Sequence, residues 1–107
     1  MHDATLYPQK NVGGTGNVDL KVDNANFEKV MDCEVGASVQ VDATAVKGYT
    51  GNQGQVYIQK KYEQFFIEGI TLDEVEVIQV NGAPIKGNGD LYPENAEVVI
   101  QGTRTEV

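Results

Sequence analysis

The stretch VGASVQVDATAVKGYTGNQGQVYIQKKYEQFFI, which is Val35–Ile67, decides the fold class of this 107-residue chain. In Ser38–Val46 apolar and polar side chains alternate, so one set lies on each face of a β-strand. The apolar members of that strand are Val39, Val41, Ala43 and Ala45. Glycines interrupt the alternation in Lys47–Gly54, and Gln55–Tyr62 resumes it. We therefore predict an antiparallel hairpin with Lys47–Gly54 as its loop.

Other parts of the chain carry the same kind of pattern. The further strands that we predict are Asn17–Asp23, Val75–Asn81, Ala83–Ile85 and Ala96–Gly102. Within Val75–Asn81 the apolar residues change parity, which indicates a β-bulge or a strand covered on both faces. Asn81-Gly82 predicts a tight turn. We interpret Leu91–Asn95 as a further turn and Thr103–Val107 as a polar tail.

One short helix is predicted at Asn26–Asp32. Asp23 and Asn24 precede it and offer side-chain oxygens as caps for its first turn. Its apolar residues, at positions i, i+3 and i+4, are Phe27, Val30 and Met31. Because that spacing puts them on one face, we expect the helix to plug an end of the sheet structure.

Residues 1–16 contain Pro8 and three glycines but few large apolar side chains. We predict that they form a flexible N-terminal arm and that residues 17–107 form a single β-domain. Leu6 and Tyr7 are the candidate partner contacts on the arm, which either stays disordered or becomes ordered against a neighbour. The predicted fold class is all-β, a small antiparallel sandwich or barrel of about six or seven strands with one short helical turn.

The chain is acidic, with 16 Asp and Glu against 8 Lys and Arg and a formal net charge of −8. Such a charge repels phosphate backbones and anionic membrane surfaces, so neither a nucleic acid nor a membrane is expected as partner. The charge either keeps the protein soluble or forms an acidic face for a basic partner. The candidate acidic contacts are Asp73, Glu74 and Glu76.

The residues that usually carry catalysis are scarce. His2, Cys33 and Ser38 are the only His, Cys and Ser of the chain, and His2 lies on the predicted arm. Nucleophilic catalysis needs such groups within hydrogen-bond reach, and zinc needs more nitrogen and sulfur ligands. We therefore predict no catalytic residue, no metal, no cofactor and no enzyme activity. A third alternative is a small enzyme or a protein that binds single-stranded nucleic acid. The latter is considered because Tyr57 and Tyr62 flank two lysines, a combination that such binding proteins use.

The segment FEKVMDCEVGASVQVDATAV, Phe27–Val46, resembles a pattern in small phage-encoded β-domains, where a helical turn leads through a Val-Gly corner into an alternating strand. The plan of the chain is similar to that of capsid decoration or cement proteins. The resemblance implies a compact β-domain that staples neighbouring subunits of a major capsid protein lattice. The resemblance assigns no functional residue of this chain. A second copy of the chain, in a homo-oligomer, is an alternative partner.

The leading expectation is a structural protein-binding module that uses Leu6, Tyr7 and Tyr49, the last at the tip of the predicted loop. The start of the chain lacks the features of a signal peptide, so we expect the virion, or otherwise the cytoplasm, as its location. The alternative is an acidic nucleic-acid mimic that occupies a basic groove of a nuclease or regulator. Its contacts would be Asp73, Glu74, Glu76, Glu94 and Glu97.

Overall fold

The structure is a computed structural model, and it describes residues 3–12, 17–49, 54–86 and 90–106. Its elements, in chain order, are β1 Ala4–Val12, β2 Asn17–Val22, α1 Asn24–Asp32, β3 Ser38–Tyr49, β4 Gln55–Ile58, β5 Lys61–Ile67, β6 Ile70–Val80, β7 Ala83–Pro84, β8 Asp90–Pro93 and β9 Val98–Glu106. Strands dominate and a single helix interrupts them among the described residues, so the predicted all-β class is confirmed.

Six strands close into an antiparallel barrel. Their order is β5-β1-β2-β3-β9-β6, and the pairing of β5 with β6 completes the ring. β7 extends the sheet beside β6, while β4 and β8 form a separate two-stranded sheet. Of the two predicted architectures, the sandwich and the barrel, the structure is therefore the barrel.

Aliphatic side chains and one aromatic pair fill the interior. The fully buried large residues include Leu6, Leu20, Tyr62, Phe65, Leu72 and Ile100. The rings of Tyr62 and Phe65 lie 4.9 Å apart between centroids and are tilted by 57°, an arrangement that aromatic pairs favour. Gly102 lets the backbone of β9 lie close to β6, because a Cβ at this position would lie 3.0 Å from Val75 Cγ2.

The predicted hairpin between β3 and the following strand is wrong. β3 pairs with β2 on one side and β9 on the other, and β4 pairs with β8. β3 also continues through Lys47 and Gly48 to Tyr49, where the loop was expected. Alternation assigns the two faces of a strand but does not select its neighbours, and one neighbour of β3, the strand β9, lies far along the chain.

A β-bulge in β3 changes which residue faces the core. Lys21 pairs with Ala45 but Val22 pairs with Ala43, so Thr44 is the extra residue. As a consequence Val46 is buried, whereas Ala45, which we expected on the core face, is half-buried. The alternation of the first half of the strand is thus correct and is shifted by one residue in the second half.

The flexible arm is wrong for residues 4–12, because they form β1 and join the barrel. Ala4, Thr5 and Leu6 pair with β2, and the ladder then changes side, so that Tyr7 pairs with Phe66 of β5. Leu6 is fully buried. Pro8 has no N–H to donate, and the β1–β2 ladder ends two residues before it. Residues 1–2 and 13–16 of the predicted arm lie outside the described part of the chain.

Two other predicted loops are also strands. β8 occupies most of the segment that we interpreted as a turn, and it pairs with β4. β9 continues to Glu106, which pairs with Ile70 of β6, so the expected polar tail belongs to the barrel. Polar composition was a poor guide in both segments, because the outward face of a barrel strand is itself polar.

The helix and the predicted turn at Asn81-Gly82 are confirmed. The Asp23 carboxylate caps α1 by accepting from the Asn26 N–H at 2.9 Å. The Asn26 side chain fastens α1 to β3, since its Nδ2 donates to the Asp42 carbonyl at 2.9 Å. Asn81 and Gly82 have φ angles of 53° and 80°, as a tight hairpin between β6 and β7 requires. The predicted bulge in β6 is present as two register shifts against β9.

Candidate functional site

Cys33 and Ser38, two residues of the kinds that usually carry catalysis, lie between the end of α1 and the start of β3. The described residues contain no group of three or more His, Cys, Asp or Glu side chains that could hold a metal ion. Cys33 is half-buried, and its Sγ donates to the Glu34 carbonyl at 3.8 Å. Ser38 is exposed at the start of β3, and His2 lies outside the described residues. Surfaces that could contact another molecule offer a candidate functional site.

An exposed aromatic pair lies on the outer wall of the barrel. Tyr7 is 57% exposed, which is the largest value among the big apolar side chains of the described residues. It pairs in register with Phe66, which is half-buried. Cross-strand neighbours have Cβ atoms about 5 Å apart, so the two side chains start next to each other. Leu6 and Phe65, the next residues along the two strands, are buried, and Tyr7 and Phe66 therefore point outward.

The same wall continues from the aromatic pair into polar residues. Gln64 lies two residues before Phe66 on β5, and it pairs with Asp73 on β6. The intervening pair, Phe65 and Leu72, is buried, so Gln64 and Asp73 share the outer face with Phe66. Two residues of a strand span about 7 Å. Gln64 Nε2 donates to Asp73 Oδ1 at 2.5 Å, which holds that carboxylate in place beside the aromatic pair.

A bulge gathers carboxylates beyond Asp73. The register of β6 against β9 shifts between Asp73 and Glu76, and Glu74 sits there with a φ of 54°. Glu63, Glu74 and Glu76 line a shallow depression of about 460 Å³ together with Lys61. Glu63 and Glu74 also line a neighbouring depression with Asp73, so the four carboxylates belong to one continuous surface.

This surface is the aromatic–acidic face, and we use that name for Tyr7, Phe66, Glu63, Asp73, Glu74 and Glu76. Its backbone belongs to three hydrogen-bonded strands, β1, β5 and β6. The side chains therefore start from fixed positions on a rigid wall. Such a face suits recognition of another molecule, because little conformational entropy is lost when a preorganised surface binds.

The predicted contact residues do not all lie on the aromatic–acidic face. Leu6 is wrong as a partner contact, because it is 0% exposed and belongs to the core. Tyr7 lies on the aromatic–acidic face, as do Asp73, Glu74 and Glu76. The side chain of Tyr49 lies outside the described part of the chain, and its backbone pairs with Asn17.

The five carboxylates of the predicted nucleic-acid mimic do not come together. Glu94 follows β8, where its N–H donates to the Gly54 carbonyl at 3.0 Å. Glu97 lines a different depression, with Asp42 of β3 and Gln79 of β6. Only Asp73, Glu74 and Glu76 of that set share the aromatic–acidic face.

Sequence reasoning missed Phe66 and Glu63. Phe65 and Phe66 are adjacent on β5, and adjacent residues of a strand point to opposite faces. Phe65 is buried and Phe66 is half-buried on the outside. The alternation of the segment Tyr62–Ile67 contained this signal, because one of two adjacent aromatic residues must face outward.

Tyr62 is also placed differently from its role in the single-strand alternative. It is 2% exposed, and the Gln59 N–H donates to its hydroxyl at 3.0 Å. Burial raises the pKa of Tyr62 to about 12, against a smaller opposing effect of that hydrogen bond. A ring held in this way packs inside the barrel and is not available to stack on a base.

Within the described ranges no helix is both long and apolar enough to cross a membrane. The comparisons with known proteins give no relative: no family model, no curated protein and no solved structure matches this chain. Any functional assignment must therefore come from the aromatic–acidic face and from the pattern of the sequence itself.

Proposed function

We propose that this chain is a structural protein-binding module, and specifically a phage capsid decoration protein that staples neighbouring subunits of a capsid lattice. The observation that carries the binding role is the exposure of Tyr7 beside Phe66 on a rigid strand wall. Tyrosine is enriched among the residues that dominate interface energetics, because it buries much area at low entropic cost. The assignment to a phage capsid is supported by the resemblance of Phe27–Val46 to small decoration domains.

The way in which the module would bind differs from our expectation from the sequence. Residues 4–12 belong to the barrel, so β1 contributes through its outward side chain Tyr7 and not as a loose strap. A typical stable interface buries about 800 Å² of each partner. The protein measures 37 × 30 × 22 Å, and one side of a body of that size is large enough for such a contact.

The proposal is tested by capture of the native partner with matched variants. Immobilised wild-type chain, Tyr7→Ala and Leu91→Ala are exposed to a lysate of the native source, and retained proteins are identified by mass spectrometry. Leu91 is the control, because it is an exposed apolar residue on β8, outside the aromatic–acidic face. We expect a lattice-forming capsid protein that wild type and Leu91→Ala retain and Tyr7→Ala loses. Capture of no capsid protein, or equal capture by Tyr7→Ala, contradicts the proposal.

A nucleic-acid mimic is the second candidate, and the gathering of Glu63, Asp73, Glu74 and Glu76 favours it. A mimic depends mainly on charge, so its affinity for a nuclease or regulator should fall steeply with added salt. A decoration protein that binds mainly through Tyr7 and Phe66, with only a few charge contacts, should lose much less affinity over the same range of salt. Binding of the captured partner at about 50 mM and about 500 mM salt separates the two, because the Debye length changes severalfold over that range.

A further inference from the structure

The relative positions of the aromatic pair and the carboxylates indicate what kind of partner segment would fit the aromatic–acidic face. We propose that the aromatic–acidic face binds an extended segment of the partner protein in which an apolar side chain is followed, two residues later, by Lys or Arg. This inference rests on the proposed protein-binding function and adds the chemistry of the partner.

The aromatic pair carries the site. Tyr7 and Phe66 lie opposite each other on two paired strands, and the residues behind them, Leu6 and Phe65, are fully buried. Both rings therefore rest on a packed core and present apolar area to solvent. An apolar side chain of a partner gains free energy by covering this area, at about 25 cal/mol per Å² removed from water.

The carboxylates select the occupant. Glu63, Asp73, Glu74 and Glu76 line the two adjoining depressions, and Lys61 is the cation among their lining residues. Among these lining residues the negative charges outnumber the positive charge, so the two depressions favour a cation. Because Asp73 is about 7 Å along the strand direction from Phe66, its charge lies within one Debye length of the aromatic pair. A basic group on the partner is thereby favoured and an acidic group is repelled.

The spacing sets the form of the segment. In an extended chain, residues i and i+2 point to the same side and are separated by about 7 Å. This matches the step from the Phe66 row to the row of Gln64 and Asp73. An apolar residue at position i would cover Tyr7 and Phe66, while Lys or Arg at i+2 would reach Asp73. A second basic residue at i+4 would reach Glu74, which lies in the bulge.

The test uses the full chain labelled with ¹⁵N and a synthetic peptide as probe, Gly-Leu-Thr-Lys-Thr-Lys-Gly with blocked ends. Its matched control replaces both lysines by glutamate. We expect amide shifts confined to β1, β5 and β6 on titration with the basic peptide and none with the acidic one. Tyr7→Ala should weaken binding at least about fivefold, as loss of an interface anchor does. Glu74→Gln should weaken it about threefold and reduce its dependence on salt.

The control variants are Leu91→Ala and Glu94→Gln, which remove an exposed apolar residue and an exposed carboxylate outside the face. They should bind like wild type, and circular dichroism checks that every variant is folded. Shifts elsewhere on the barrel, equal binding of both peptides, no binding of either, or an unchanged Glu74→Gln overturns the inference. If the peptide fails but Tyr7 is still needed to capture a capsid protein, this inference is wrong and the proposed function stands. If the basic peptide binds but no capsid protein is captured, the assignment to a capsid is wrong and this inference stands.

Discussion

Leu6→Ala should destabilise the protein strongly, and this substitution tests whether β1 is part of the barrel. Leu6 is 0% exposed and pairs with Leu20 of β2. Leucine-to-alanine changes at buried sites cost about 2–5 kcal/mol, because lost burial adds to the cost of a cavity. We take about 3 kcal/mol for this site, since Leu6 is enclosed and the closed ring limits how far its neighbours can move.

The expected effect is large compared with the total stability. A domain of this size has about 5–15 kcal/mol of unfolding free energy. A loss of about 3 kcal/mol should lower the melting temperature by roughly 12 °C or more. Urea unfolding followed by far-UV circular dichroism measures it, since the chain has no Trp for fluorescence. The adjacent Tyr7→Ala is the matched control and should cost less than about 1 kcal/mol, because Tyr7 is 57% exposed.

The comparison of these neighbours distinguishes a strand from an arm. In a flexible arm both substitutions would change the free energy of unfolding by less than about 0.5 kcal/mol, as at ordinary surface sites. In a barrel strand they must differ, because one side chain faces inward and the next faces outward. A Leu6→Ala variant as stable as Tyr7→Ala would refute the placement of β1 and with it the rigid wall under the aromatic–acidic face.

Three further predictions concern other parts of the core. Asn26→Ala should lower the free energy of unfolding by about 1–3 kcal/mol, because it removes the hydrogen bond from Asn26 Nδ2 to the Asp42 carbonyl and leaves that carbonyl short of a partner. Urea unfolding measures this loss. A loss below about 0.5 kcal/mol would show that this bond does not fasten α1 to β3. Burial raises the pKa of Tyr62 to about 12, so its contribution to stability is complete below pH 10 and is lost as the pH rises towards 12. Absorbance titration should find a late-titrating tyrosine that Tyr62→Phe removes, and a titration curve that Tyr62→Phe leaves unchanged at high pH would contradict this. Gly102→Ala should destabilise by about 1–3 kcal/mol, since the new methyl group would lie 3.0 Å from Val75 Cγ2, and an unchanged melting temperature would mean that the neighbouring strand yields.

Local signals predicted the elements whose cause is local. Alternation located β2 and the start of β3, the parity change predicted a bulge in β6, and Asn81-Gly82 predicted its turn. The cap at Asp23 likewise depends on residues within one helical turn. In each case a few adjacent side chains determine the backbone, and the sequence displays them together.

Strand pairing could not be predicted in the same way. β3 pairs with β9, and β1 pairs with β5, across long separations for which alternation carries no information. β1 was also hidden, because Pro8 interrupts its pattern and glycines follow it. The candidate site depends on this pairing, since Tyr7 meets Phe66 only when β1 has joined β5. Tyr7 and the three carboxylates Asp73, Glu74 and Glu76 could be named from the sequence, but their arrangement on one wall could not.

The change of partner within β1 has a consequence for the solubility of the protein. β1 joins two other strands of the barrel: its first part pairs with β2 and its second part pairs with β5. Without it, those two strands would each present a long row of unpaired amide and carbonyl groups to other molecules. The residues of β1 are far from β5 in the chain, and we expect this pairing to form late in folding, because contacts between distant residues form slowly. We expect that damage to β1 would cause the protein to aggregate, because other copies could then pair with the exposed edges of β2 and β5.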